Sequence, residues 1–168
     1  MFIELSIIWY RWRIRRRIRK HGWTATYVRM GDYGDLAYST GFQDSIGFPE
    51  VIMFGFDMES ANALIGEARL DLKGGKLVLF DKAPWAAIPG ARPMVWRKVH
   101  PSQIRREHFN VAIYEGERRG RSRAEIEAYQ LLISDENNCF PWEAGYDLDY
   151  RPRQPALYEP YVGPPDDD

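Results

Sequence analysis

A chain of 168 residues with 45% hydrophobic and 28% charged residues is long enough to bury one core, and this balance excludes a disordered or fibrous class. The net charge of −1 conceals an asymmetry. Residues 1–20 carry seven Lys/Arg against Glu4 alone, while the remainder is acidic, with sixteen Lys/Arg against twenty-three Asp/Glu.

Residues 1–20, MFIELSIIWYRWRIRRRIRK, place Ile3, Ile7, Tyr10, Ile14 and Ile18 on one helical stripe. The same stretch also alternates as a strand would, with odd-numbered arginines from Arg11 to Arg19, but His21-Gly22 supplies a helix stop and favours the helix. Its Arg11, Arg13, Arg15, Arg16, Arg17 and Arg19 suit nucleic acid or an anionic membrane surface; the plainer reading is a docking helix with solvated arginines. The apolar stretch is broken by Glu4 and then by arginines, so no transmembrane helix is expected, and charge follows the apolar segment, the reverse of a secretory signal. A lone Cys139 excludes an internal disulfide and fits a reducing compartment, which makes the cytoplasm the default location.

Alternation from Trp23 to Arg29 predicts a strand closed by the turn-rich GDYGD at 31–35, and Leu36–Thr40 completes a hairpin. After a ten-residue connection, the apolar run Val51–Phe56 reads as a strand buried on both faces. Asp57 is a good N-cap for a helix with an apolar face of Ala61, Leu64, Ile65, Ala68 and Leu72, ended by Gly74-Gly75. Strands are predicted at 77–80, 93–99 and 129–133, a surface loop at 81–90, a helix over 102–114 and a basic loop at 115–123. Ser122 and Glu125 form a capping-box pattern, and five prolines from Tyr150 onward indicate an extended tail.

Several pieces together resemble DUF4262, a bacterial domain family of unknown function: HGW at 21–23, AYSTGF at 37–42, GFPEVIMFGF at 47–56, YQLLISD at 129–135 and FPWEAGYD at 140–147. Ser39, Phe42 and the Ile133-Ser134 pair depart from the family pattern, as does the segment before FPW, which lacks the family's glycine. The resemblance implies a bacterial α+β domain and little chemistry. The expected architecture is a single α+β domain: a mixed or mostly antiparallel sheet of about five or six strands with two or three helices. It divides into a basic arm at 1–20, the domain at 21–149 and a Pro-rich acidic tail at 150–168.

No motif names a reaction or a cofactor. His21, His100 and His108 lack metal-ligand spacing, GDYGD is not a phosphate loop, and Asp135 and Glu136 favour the neutral thiol of Cys139. Tyr38, Thr40, Glu50, Gln130, Trp142 and Glu143 fall at strand ends or loops of the shared motifs. They suggest a pocket or docking cleft between the 41–50 connection and the FPWE turn; the plainer reading is that Phe48, Phe140 and Trp142 seal the core. Arg118, Arg119, Arg121 and Arg123 could join Arg105, Arg106 and the arm as one polyanion-binding face, with Glu115, Glu117, Glu125 and Glu127 offsetting their field. The leading reading is a bacterial cytoplasmic accessory or binding protein acting through protein or small-ligand contacts. The alternatives are a hydrolase-like or cofactor-binding enzyme using the 38–50 and 140–143 cleft, and a nucleic-acid or membrane-surface binder using the arginine arm.

Overall fold

The computed structural model describes residues 2–30 and 35–164, with side chains from residue 7 onward. The arm is helical: α1 spans Phe2–His21, and Gly22 at φ +80 ends it, its N–H bonding the Ile18 carbonyl at 2.8 Å. Of the expected apolar stripe, Ile14 and Ile18 are buried, whereas Ile7 and Tyr10 are exposed. Among the described side chains of this stripe, those in the second half of α1 are the ones fastened to the core.

Strands β1 (Thr24–Val28) and β2 (Leu36–Thr40) form the hairpin, with Thr26 opposite Tyr38. The turn expected at 31–35 lies outside the described residues apart from Asp35, as do the terminal aspartates 166–168. A short helix α2 (Phe42–Ile46) interrupts the connection to β3 (Glu50–Phe54), which is buried along its whole length as its apolar run requires. Helix α3 (Met58–Lys73) follows, and Asp57 caps it by accepting the Ser60 N–H at 2.9 Å.

The chain continues through β4 (Ala83–Trp85), β5 (Met94–Lys98), α4 (Arg106–Arg118) and β6 (Ala128–Ile133). Short 3₁₀ turns lie at Pro101–Gln103, Arg123–Glu125 and Leu148–Arg153. The described residues thus hold four α-helices, slightly more than the two or three expected. The strand order is β1-β2-β3-β6-β5-β4, mixed because β3 and β6 run parallel while the other neighbours are antiparallel.

The strand expected at 77–80 does not form; the edge strand lies at 83–85 instead, within the expected loop. Pro84 tolerates this place because it is exposed on an edge strand, where its missing N–H costs no central hydrogen bond. The helix expected over 102–114 begins at Arg106 and runs on to Arg118, absorbing the first part of the expected basic loop. The capping box at Ser122 and Glu125 is present, but it closes a single 3₁₀ turn.

Side-chain alternation divides the core between the two faces of the sheet. Val51 and Met53 pack with Ala61, Leu64, Ile65 and Ala68 of α3, while Ile52 and Phe54 pack with Ile113 of α4 and Ile14 and Ile18 of α1. A third, smaller cluster joins Val95, Leu132 and Phe140.

Candidate functional site

The turn between β2 and β3 is built around a buried carboxylate. Glu50 is 4% exposed and accepts hydrogen bonds from the Ser39 hydroxyl and from the Gly41 N–H at 2.8 Å. Ser39 Oγ in turn accepts the Val51 N–H at 2.9 Å. Burial pushes the Glu50 carboxyl up, opposed by the donors at Ser39, Gly41, Phe42 and Gln43. Gly41 sits at φ +106, and a Cβ there would lie 2.6 Å from the Gly22 carbonyl oxygen. The HGW and AYSTGF segments therefore interlock through backbone at two glycines. Thr40 is buried beside this turn, its hydroxyl without a hydrogen-bond partner among the described residues.

Tyr38 is buried, and its hydroxyl accepts the Val111 N–H at 3.1 Å. The donor is available because α4 kinks at Phe109 (φ −133), which interrupts the helical ladder. Burial pushes the Tyr38 phenol up to about 12. Gln130 faces the same side of the sheet, where its carboxamide clasps the tail: Nε2 donates to the Pro155 carbonyl at 2.7 Å and Oε1 accepts the Leu157 N–H at 3.0 Å. Gln154 makes the reciprocal clasp on Ile133, its Oε1 accepting the N–H and its Nε2 donating to the carbonyl, both at 2.8 Å.

Beside Gln130, Arg97 is held between two rings, 3.9 Å from the Tyr158 centroid and 4.6 Å from that of Trp142, while its Nε donates to Asp81 at 2.7 Å. Trp142 stacks on Phe140 at 5.2 Å, and Glu143 accepts the Phe140 N–H at 2.7 Å. The candidate residues thus do not converge on one cleft. Glu50 pairs with Ala128 at the start of β6, whereas the FPWE turn leaves from the other end of that strand and folds back over β5. Tyr38 and Gln130 share a row across the sheet through Ile52, and that row is roofed by α4 and the tail.

A second buried carboxylate was not singled out as a site from the sequence. Asp135 accepts backbone N–H groups of Asn137 at 2.9 Å, Cys139 at 2.8 Å and Asp147 at 2.7 Å, drawing the whole 135–147 loop around one side chain. Burial would raise its carboxyl, but these three donors outweigh that and hold it below the usual carboxylate range. The signal available was the acidic residue closing YQLLISD, followed by a loop rich in unpaired N–H groups. Cys139 lies in this loop, where burial and the charges of Asp135 and Glu143 push its thiol up. His108 packs edge-on against Phe54 at 5.9 Å, and His100 Nδ1 lies 2.8 Å from the Ser102 hydroxyl.

The arginines of the arm do meet those at the end of α4. Glu115, 1% exposed, is the pivot: Arg15 Nε lies 3.4 Å from one carboxylate oxygen, and Arg118 and Arg119 lie 3.1 and 3.8 Å from the other. Arg15 also donates to the Tyr114 hydroxyl at 2.6 Å. Arg15, Glu115, Arg118 and Arg119, with Trp12, Ile18 and Arg19, line a cavity of about 290 Å³ holding four guanidinium groups against one carboxylate. Arg119 and Arg121 both contact Asp44, joining α2 to this edge. Arg105 and Arg106 are directed elsewhere, Arg105 over the Tyr161 ring at 3.5 Å and Arg106 to Glu117 at 3.1 Å.

The family model of a domain of unknown function, DUF4262, matches residues 17–147. The chain belongs to the DUF4262 family. Neither a curated protein nor a solved structure matches it. The DUF4262 span contains the Glu50 turn, Gln130 and the Asp135 loop, together with Arg19, Glu115, Arg118 and Arg119 of the arginine cavity. Trp12 and Arg15 precede the span, and the tail that Gln130 holds follows it. Among the described residues, no helix is long and apolar enough to cross a membrane.

Proposed function

We propose that this DUF4262 protein is a binding protein that holds a polyanionic ligand on the face shared by α1 and the end of α4. One observation carries the reading. Four arginines from segments about a hundred residues apart in sequence line one cavity, and the only carboxylate among its lining residues, Glu115, is already shared by three of them. Guanidinium groups fixed by a buried acceptor are pre-oriented, so less side-chain freedom is lost when an anion arrives. The residues of the turn and sheet support the same assignment, since Tyr38, Glu50 and Gln130 already spend their polar groups on holding α4, the β2–β3 turn and the tail. The lone cysteine fits a reducing compartment, and the proposal places the protein in the bacterial cytoplasm.

The test is salt elution from a heparin column. Arg19→Glu and Arg118→Glu are each expected to elute at clearly lower salt than the parent chain, because each removes one cation from the cavity and adds an anion. Arg29→Glu, at the exposed end of β1, serves as the control and should leave elution almost unchanged. Identical elution of the two cavity variants and the parent would overturn the proposal.

A further inference from the structure

The first half of α1 exposes more apolar surface than a solvated helix needs. Ile8 is 64% exposed, Trp9 58% and Trp12 47%. Trp9, Trp12, Arg13 and Arg16 occur at helical spacings of three, four and seven and so share one face. On that face each indole carries an arginine, with Arg13 4.7 Å from the Trp9 centroid and Arg16 5.4 Å from that of Trp12. The opposite side of the helix leaves an apolar-floored groove of about 220 Å³, where Ile7, Tyr10 and Ile14 face Val111 and Tyr114. This groove adjoins the arginine cavity at Glu115.

We propose that α1 lies on an anionic lipid bilayer, with Ile8, Trp9 and Trp12 in the interfacial layer and the arginine cavity on a lipid phosphate. The inference rests on the polyanion reading and names its partner. Indoles settle at the boundary between headgroups and acyl chains, and arginines beside them keep their charges among the headgroups while their stems cover apolar surface. Nucleic acid fits less well. Ile8 has nothing to read there, and a guanidinium already covers one face of each indole that bases would stack on. A second copy of α1 fits less well still, because pairing this face with itself would set arginine against arginine.

The experiment is cosedimentation of the full chain with phosphatidylcholine vesicles, with and without phosphatidylglycerol, read alongside tryptophan emission and heparin elution. The expected result is binding only when phosphatidylglycerol is present, weakening as salt rises, with a blue shift of emission. Ile8→Ala combined with Trp9→Ala, which removes apolar surface without changing charge and touches no residue lining the arginine cavity, should weaken vesicle binding by about tenfold or more while leaving heparin elution close to the parent's. Both side chains are exposed, and Trp9→Ser alone is a further charge-neutral variant with the same direction of effect. Heparin retention without vesicle binding would overturn the inference and leave the polyanion reading standing. So would preference for an RNA oligonucleotide over the vesicles, or vesicle binding indifferent to both variants. Failure to bind either heparin or vesicles would overturn both.

Discussion

Replacing Gln130 by Leu removes the clasp on the tail while nearly conserving side-chain size. Gln130 is 0% exposed and Leu157 only 2%, so water cannot take over the lost bonds without opening the structure. The Leu157 N–H and the Pro155 carbonyl would each lose the Gln130 bond and keep only their 3.0 Å bond to one another, so the loss falls short of stranding two buried polar groups at about 1–3 kcal/mol each. Because the two groups stay bonded to one another, the combined loss should be about 1–3 kcal/mol. For a chain of this length that corresponds to a fall in Tm of about 2–12 °C. Urea midpoints would measure the loss, and hydrogen exchange at Leu157 would show whether its amide is freed. Gln130→Glu is a useful companion, since it keeps an acceptor for Leu157 but turns a carboxylate toward the Pro155 carbonyl. It should be at least as destabilising. A loss below about 0.5 kcal/mol with the Leu157 amide still protected would show that the tail is held by its apolar contacts and that the hydrogen bonds are incidental.

Gly41→Ala should cost at least about 2 kcal/mol in urea, because the added Cβ meets the Gly22 carbonyl oxygen while the backbone stays at positive φ; a neutral substitution would refute the interlock. Tyr38→Phe should cost about 1–2 kcal/mol by stranding the Val111 N–H, and exchange of that amide should speed up before global unfolding; an unaltered amide would refute the assignment. Asp135→Asn tests linkage. A carboxyl held below its ordinary value of about 3.9 contributes stability that is present above that pH and lost as pH falls through the lowered folded value. The stability gap between parent and variant should therefore narrow on acidification below that point, and a constant gap would refute the role given to the carboxylate.

What could be read ahead of the structure was local. The unbroken apolar run of β3 and the Asp57-capped, Gly-terminated α3 declare themselves because pattern, cap and stop agree over a few residues. Ala83–Trp85 was hidden because three residues with a central proline give no strand signal, and pairing with β5 decides the matter. Leu77–Phe80 looked like a strand from its side chains but has no partner strand among the described residues. The Arg15–Glu115 contact spans a hundred residues, so the meeting of the two basic segments depended on where α1 and α4 dock. The sequence places Glu50 in a candidate pocket and Asp135 only beside Cys139; the backbone N–H groups that fold around both show why they are inside.

The strand order also bears on how the chain reaches this state. Strands β1, β2 and β3 form one antiparallel meander closed by near neighbours in sequence, and β4, β5 and β6 form another. They meet along the parallel β3–β6 seam, where Ile52 lies opposite Gln130 and Met53 opposite Leu131. Loop closure favours the near contacts first, so the seam should be the last long-range pairing to form and the rate-limiting one. Substitutions such as Met53→Ala and Leu131→Ala, on the seam, should then slow the overall folding rate and not only accelerate unfolding.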